Sequence, residues 1–294
     1  MNSQFVQLIV DGLASGSIYA ALALAIVLAY RATGLLNFAQ GVMAVFSTYL
    51  AYSFLQAGLW PLAAILVAIA ISLVFGAGVE RIVIRRFERG SISTAVVVTV
   101  GLFVLIQGIS GAIWSYNPLT FPSLFPLTTI KIAGAVVGVR SLGTIAVLIV
   151  VVLVLQLLFK GTKLGLALRA VADNPESGSL SGLPVGRLLM IGWALAAALG
   201  AIAGALVAPQ VFLSPGMLDF VLVYALAAVI MGGLDSPIGA VVAAWFIGVV
   251  ENLAGAYLPF IGDDLKIAVP LAAMFIILIV RPQGLFGRRE VVRV

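Results

Sequence analysis

Along the chain, apolar residues gather into continuous runs separated by short polar connections. A helix needs about 20 mostly apolar residues to cross the hydrocarbon core of a bilayer, whereas a spanning barrel strand alternates apolar and polar with period two. The runs here do not alternate, so they predict helices. The candidate segments are Phe5–Tyr30, Phe38–Ala57, Leu62–Val79, Thr94–Ser115, Leu142–Phe159, Leu188–Ala208, Phe220–Met231, Ile238–Ala256 and Ile267–Val280. Phe220–Met231 is short for a full span and ends in Gly232-Gly233, which makes it a candidate for a broken or re-entrant piece. The expected fold is an all-α polytopic membrane protein of about eight or nine transmembrane helices.

Composition agrees with that pattern. The chain is 63% hydrophobic and 9% charged, with a mean hydropathy of +1.24, against roughly 45–50% apolar and about 25% charged residues in a soluble domain. No polar stretch is long enough for a separate soluble module, so residues 1–294 are expected to form one membrane domain. Cys and His are both absent. That removes disulfides, thiolate nucleophiles, imidazole bases and the usual transition-metal ligands, so no catalytic, metal or cofactor site is assigned. The opening Met1-Asn-Ser-Gln-Phe has no basic region, and the first apolar run is expected to be a retained helix.

A net charge of +5 would suit nucleic acid if it lay along one amphipathic face. Instead the positive residues fall between apolar runs, which fits a lipid bilayer and no nucleic acid. Three connections carry most of them: Glu80–Gly90 with Arg81, Arg85, Arg86 and Arg89; Lys160–Arg187 with Lys160, Lys163, Arg169 and Arg187; and the tail with Arg281, Arg288, Arg289 and Arg293. With Arg31, these place 13 of the 16 basic residues on one side if the segments alternate, leaving Lys131, Arg140 and Lys266 opposite. The positive-inside rule makes the first side cytoplasmic. The C-terminus is then inside, and the N-terminus, Asn117–Arg140, Gln210–Asp219 and Pro259–Lys266 are outside.

Small residues recur at helix-packing spacing, as in Gly76-Ala77-Gly78 and Gly200-Ala-Ile-Ala-Gly204. They are expected to let helix backbones approach, with no ligand implied. Tyr19-Ala-Ala-Leu-Ala-Leu with Gly41-x-x-Ala44 also echoes Tyr224-Ala-Leu-Ala-Ala with Gly239-Ala240. Such an echo arises from an internal repeat or from chance in a chain so rich in Ala and Leu.

The connection Lys160–Arg187 has the strongest local pattern. Leu164, Leu168 and Val171 fall at i, i+4 and i+7, predicting a short helix with one apolar stripe. Asn174 is placed to cap a second short helix that begins at Pro175 and carries Glu176 in its first turn, before Gly182 and Pro184 end it. Two readings remain from the residues alone: a knob that another protein grips, or an amphipathic loop resting on the membrane surface.

The run Arg169-Ala-Val-Ala-Asp-Asn-Pro175, followed by Leu180-Ser-Gly-Leu-Pro-Val-Gly-Arg187, resembles the cytoplasmic coupling segment of the branched-chain amino acid ABC permeases. Gly12-Leu-Ala-Ser-Gly-Ser-Ile-Tyr-Ala20, Tyr30-Arg-Ala-Thr-Gly-Leu-Leu-Asn-Phe-Ala-Gln-Gly41 and Arg281-Pro-Gln-Gly-Leu-Phe-Gly287 are similar to stretches of the same family, of the LivH type. The likeness runs from near residue 5 to residue 287. It departs at Val42, where the family commonly has an acidic residue. The resemblance implies a multi-pass permease subunit of a bacterial-type inner membrane, not an enzyme. It also implies three kinds of partner: a homologous second permease, two cytosolic ATPases holding ATP and Mg, and a soluble extracytoplasmic substrate-binding protein. Arg169, Ala170, Asp173, Asn174 and Pro175 are the residues it implies for ATPase coupling. No G-x-x-x-x-G-K-[ST] phosphate loop occurs in the chain, in keeping with hydrolysis on another subunit.

Polar residues inside apolar runs are candidates for the translocation path, with helix bridging as the alternative. Tyr19, Asn37, Gln40 and Glu251 are the candidates; Gln107 and Asn252 are weaker ones, and Asp235 is expected to cap the helix after Pro237. Two rivals to an importer permease are disfavoured. A stand-alone secondary transporter would need more intramembrane acids, and a membrane-embedded enzyme would need His, Cys or a close acid pair. Importers of urea or short amides look the same at this level.

Overall fold

A computed structural model describes residues 3–87, 91–132, 135–259, 262 and 265–287. Arg89, Arg288, Arg289 and Arg293 of the basic connections lie outside the described residues. The elements are α1 (Ser3–Thr33), α2 (Gln40–Gln56), α3 (Pro61–Ile82), a 3-10 turn (Ile84–Arg86), α4 (Ile92–Trp114), β1 (Thr129–Ile132), β2 (Ala135–Gly138), α5 (Val139–Gly161), α6 (Lys163–Asp173), α7 (Pro175–Leu180), α8 (Val185–Val211), α9 (Asp219–Gly232), α10 (Pro237–Tyr257) and α11 (Ala268–Val280). Every apolar run is helical. Among the described residues, α1, α3, α4, α5, α8 and α10 are long and apolar enough to cross a membrane. The other three apolar helices, α2, α9 and α11, have 17, 14 and 13 residues. Length and composition therefore support six crossings outright.

Two expectations need correction. The chain is mostly helical and not all-α, because β1 and β2 pair antiparallel with Thr129 opposite Gly138 and Ile132 opposite Ala135. Thr129, Ile130, Ile132, Val136 and Val137 are β-branched, a composition that suits a pleated ribbon better than a helical turn. At α10 the cap is Ser236, whose hydroxyl accepts from the Gly239 amide at 3.0 Å, and not Asp235. Pro237 takes the first helical position, so the residue directly before it is the cap.

The chain divides into two compact units. One comprises Leu28–Leu124 and Val147–Asp219. Here α8 lies between α2 and α3, and its small residues bring the backbones together. A Cβ on Gly204 would sit 2.9 Å from the Ala44 carbonyl of α2, and Gly76 of α3 faces Trp193, Ala194 and Ala197 of α8. Gly78 has nothing within 4 Å of its would-be Cβ, so only Gly76 of that pair serves packing. Trp114 of α4 stacks on Tyr49 at 4.9 Å and meets Phe46 edge-on, tying α4 to α2. Val97, Val104, Val154 and Leu157 are exposed on α4 and α5. Such a surface suits lipid and would be costly in water.

The other unit comprises Met1–Val27, Phe125–Ala146 and Phe220–Val294. Gly12 and Gly16 of α1 lie directly against Gly248 and Ala244 of α10, so close that a Cβ on Gly12 would fall 2.7 Å from the Val249 Cα. α9 stops at Gly232, and Gly233 takes φ +105°. The amides of Leu285 and Phe286 then donate to the carbonyls of Met231 and Gly232 at 2.9 and 3.1 Å. The closing Arg281-Pro-Gln-Gly-Leu-Phe-Gly287 run thus satisfies two of the orphan carbonyls that a helix end leaves open.

Candidate functional site

The first candidate cluster lies where α1, α9 and α10 meet in the second unit described. Residues 244, 248, 251 and 255 of α10 form one stripe at i, i+4, i+7 and i+11, and 12, 16 and 19 form the matching stripe on α1. Gly12 faces Val249 while Gly16 faces Ala244, so the two helices run antiparallel. Helical side chains lean toward their own N-termini. In an antiparallel pair Tyr19 and Glu251 therefore lean toward each other, and the Tyr19 hydroxyl donates to Glu251 Oε2 at 2.9 Å. Glu251 is only 8% exposed. Tyr224 of α9 stacks on Tyr19 with ring centroids 4.6 Å apart and planes 13° from parallel, which brings its phenol to the same carboxylate. Lys266 lies across Gly255, close enough for its ammonium to act on Glu251. Below the cluster, Trp245 Nε1 donates to the Ser17 hydroxyl at 2.9 Å.

Tyr19 donates to this buried acid, Tyr224 and Lys266 lie beside it, and Gly248 lets α1 pack directly against α10 on the same face. The arrangement places a buried, hydrogen-bonded acid inside an apolar helix, a group that can pair with a cation. Tyr224 was not a candidate from sequence, although its echo of the Tyr19 run was the available signal. Asn252 and Gln107 are half-buried and take no part in this cluster.

Asn37 and Gln40 fall in the other unit and form their own network. Asn37 Nδ2 donates to Gln40 Oε1 at 2.9 Å, Asn37 Oδ1 accepts from the Ala39 amide at 3.0 Å, and Gln40 Nε2 donates to the Ala196 carbonyl of α8 at 3.0 Å. Both residues are fully buried. Asn37 ends the extended link after Gly34, whose φ of +70° lets the chain turn out of α1. The network fixes the start of α2 to α8. Val42, at the departure from the family pattern, is buried in the same helix.

The third element is the α6–α7 knob. Thr162 caps α6 by accepting from the Gly165 amide at 2.9 Å, and Asn174 caps α7 by accepting from the Ser177 amide at 2.9 Å. Pro175 occupies the first position of α7. Leu168 and Val171 bury against Leu188 and Leu189 at the start of α8, so the apolar stripe faces the protein. Leu164 stays partly exposed at the edge. Ala170, Asp173, Asn174 and Pro175 are exposed, while Arg169 is half-buried with its Nε 3.4 Å from the Gly165 carbonyl of its own helix. Leu166 and Leu180 are also exposed, Leu180 at 91%. Sequence reading passed over both, since an exposed leucine has no periodic signal.

A family described as the branched-chain amino acid transport system permease component matches residues 8–279. The chain belongs to that family. Among relatives of the permease, the high-affinity branched-chain amino acid transport system permease protein BraD of Pseudomonas aeruginosa is 26% identical over 304 residues, covering 99% of this chain and 98% of the relative. LivH of Escherichia coli K12 is 26% identical over 311 residues at 99% and 98% coverage. A probable LivH of Methanocaldococcus jannaschii is 27% identical over 280 residues, covering 90% and 87%. The match spans the helices and the knob together, so the permease is a full-length relative of transport components. A solved structure, PsaBC from Streptococcus pneumoniae in complex with Fab, covers 96% of this chain and 97% of that chain at a TM-score of 0.49 and 15% identity. A likeness at that level adds nothing to the assignment.

Proposed function

We propose that this permease is the membrane-spanning subunit of an ATP-binding-cassette importer that moves branched-chain amino acids across the bacterial inner membrane. Its carrying observation is the capped knob of α6 and α7, built on the start of α8 in a chain of the branched-chain amino acid permease family. In this reading Ala170, Asp173, Asn174 and Pro175 dock on a cytosolic ATPase, with Leu166 and Leu180 as apolar contacts and Arg169 at the edge. ATP and Mg are held by two ATPase subunits, a homologous permease completes the pore, and a soluble binding protein delivers substrate from outside. The knob, Glu80–Gly90 and the C-terminus face the cytoplasm, with eight or nine crossings once the shorter apolar helices are counted.

Tyr19 and Glu251, joined by Tyr224, line the path and act on the substrate ammonium in passing. Asn37 and Gln40 belong to the wall that holds α2 on α8. Affinity comes from the binding protein, so an apolar amino acid needs only weak contacts in the pore. Purifying the assembled transporter with its binding protein and identifying the bound small molecule is the test. Leucine, isoleucine or valine is the expected ligand; urea or a short amide would overturn the substrate assignment and leave the family unaffected.

A further inference from the structure

Glu80 lies in the last turn of α3 and is 0% exposed. A carboxylate so placed needs a partner that satisfies both oxygens. Arg85 supplies it from five residues on. Successive helical residues turn by about 100°, so a continuous helix would carry position 85 roughly 140° away from position 80. Instead α3 ends at Ile82, and the 3-10 turn Ile84–Arg86 swings the guanidinium back. Arg85 Nε donates to Glu80 Oε1 at 3.0 Å and Nη2 to Oε2 at 2.7 Å, a two-pronged pair. Nη2 also donates to the Gly186 carbonyl in the first turn of α8. The guanidinium lies against Gly186 itself, where a Cβ would stand 3.4 Å from Cζ.

That turn of α8 is also the seat of the knob. Leu168 and Val171 of α6 pack on Leu188 and Leu189, with Leu183 and Val185 beside them. The first turn of α8 is therefore held by the knob through apolar contacts and tied to the end of α3 by one guanidinium, while Gly76 packs α3 on α8 further along. We propose that Glu80, Arg85 and Gly186 form a clasp that carries displacement of the α6–α7 knob into α3, which makes Arg85 a positioning residue for transport. The proposal rests on the knob being the ATPase docking element. Arginine is suited to the task because its planar fork holds a carboxylate with two bonds and keeps a donor for a third partner; a lysine ammonium is a point charge on a flexible stem.

The test uses the assembled transporter with its ATPases and binding protein. Arg85→Lys retains a cation for Glu80 and loses the fork. Membrane level and ATPase association are expected to match the parent, while uptake per ATP hydrolysed falls by about fivefold or more, the size of a typical coupling between sites. Gly186→Val, whose methyls crowd the guanidinium where it meets the Gly186 carbonyl, is expected to do the same. Paired spin labels at Ile82 and Glu176, both exposed, give a second reading: one unchanged distance with and without nucleotide in the parent, and a changing distance in Arg85→Lys. Unchanged uptake per ATP in both variants overturns the clasp, as does a nucleotide-dependent distance in the parent. Loss of ATPase association in Arg85→Lys also overturns it, by making Arg85 a docking residue. Failure of the docking reading itself shows separately, as undiminished ATPase association and uptake in Pro175→Gly with Arg85 intact.

Discussion

Replacing Tyr19 by Phe removes one hydroxyl from the α1–α10 contact and leaves the ring stacked 4.6 Å from Tyr224. The change deletes the 2.9 Å bond to Glu251 without opening a cavity. Two magnitudes compete. A hydrogen bond to a charged group in a soluble protein contributes about 1.5–3 kcal/mol, whereas bonds between membrane helices average about 0.6 kcal/mol and reach about 1.7. The membrane value governs here, because in the unfolded bilayer state the hydroxyl finds other partners and Tyr224 remains beside Glu251. The expected loss is therefore about 1 kcal/mol. Unfolding in detergent is followed by fluorescence, to which Trp245, bonded to Ser17 on the same contact, contributes directly. A double-mutant cycle with Glu251→Gln isolates the pair: a coupling of about 1 kcal/mol is expected, and one below about 0.3–0.5 kcal/mol would refute the bond. Uptake separates scaffold from path, with Glu251→Gln slowing transport at matched protein level and Tyr19→Phe slowing it less.

Gly248→Leu should force α1 and α10 apart, since even a Cβ there overlaps the Gly12 carbonyl and the Gly16 amide; overpacking of this kind costs about 1–3 kcal/mol or more, read as a lowered melting temperature in detergent. Gly284→Ala should likewise destabilise, because φ is +79° and the added carbon would lie 2.7 Å from the Gly233 amide nitrogen; the check is proteolysis of the C-terminal segment, expected to quicken as the cap on α9 loosens. Asn174→Ala removes the α7 cap for about 1 kcal/mol of local helix stability and should lower ATPase pull-down with membrane insertion intact. Single cysteines, introduced into a chain that has none, should label at position 176 from the cytoplasm and at position 127 from outside; labelling of position 176 in intact cells contradicts the orientation.

The helical runs were legible because each is continuous and bounded by polar or glycine-rich links. The knob was legible for a different reason: its caps are local, so Asn174 and Pro175 specify the start of α7 without tertiary help. Side-chain pairing was less accessible. Tyr19 and Glu251 stand 232 residues apart, and only the crossing of α1 on α10 brings them together. Glu80 and Arg85 are near neighbours, yet their pairing depends on a 3-10 turn that helical periodicity does not forecast. The hairpin was missed because its two four-residue strands are far shorter than the apolar runs that mark the helices. Asp235 lost the cap to Ser236 because Pro237 fixes where the helix begins. Gly76 and Gly78 look alike in sequence, and only the neighbouring helix distinguishes the one that packs from the one that does not.

The central claim is that this chain moves branched-chain amino acids only as part of an assembly driven by ATP on other subunits. Its most direct test is uptake of radiolabelled leucine into proteoliposomes holding the permease alone, or the permease with its homologue, ATPases and binding protein. The account predicts uptake in the complete assembly with ATP, competition by isoleucine and valine, and none by urea. Leucine accumulation by the permease alone, driven by an ion gradient, would contradict it.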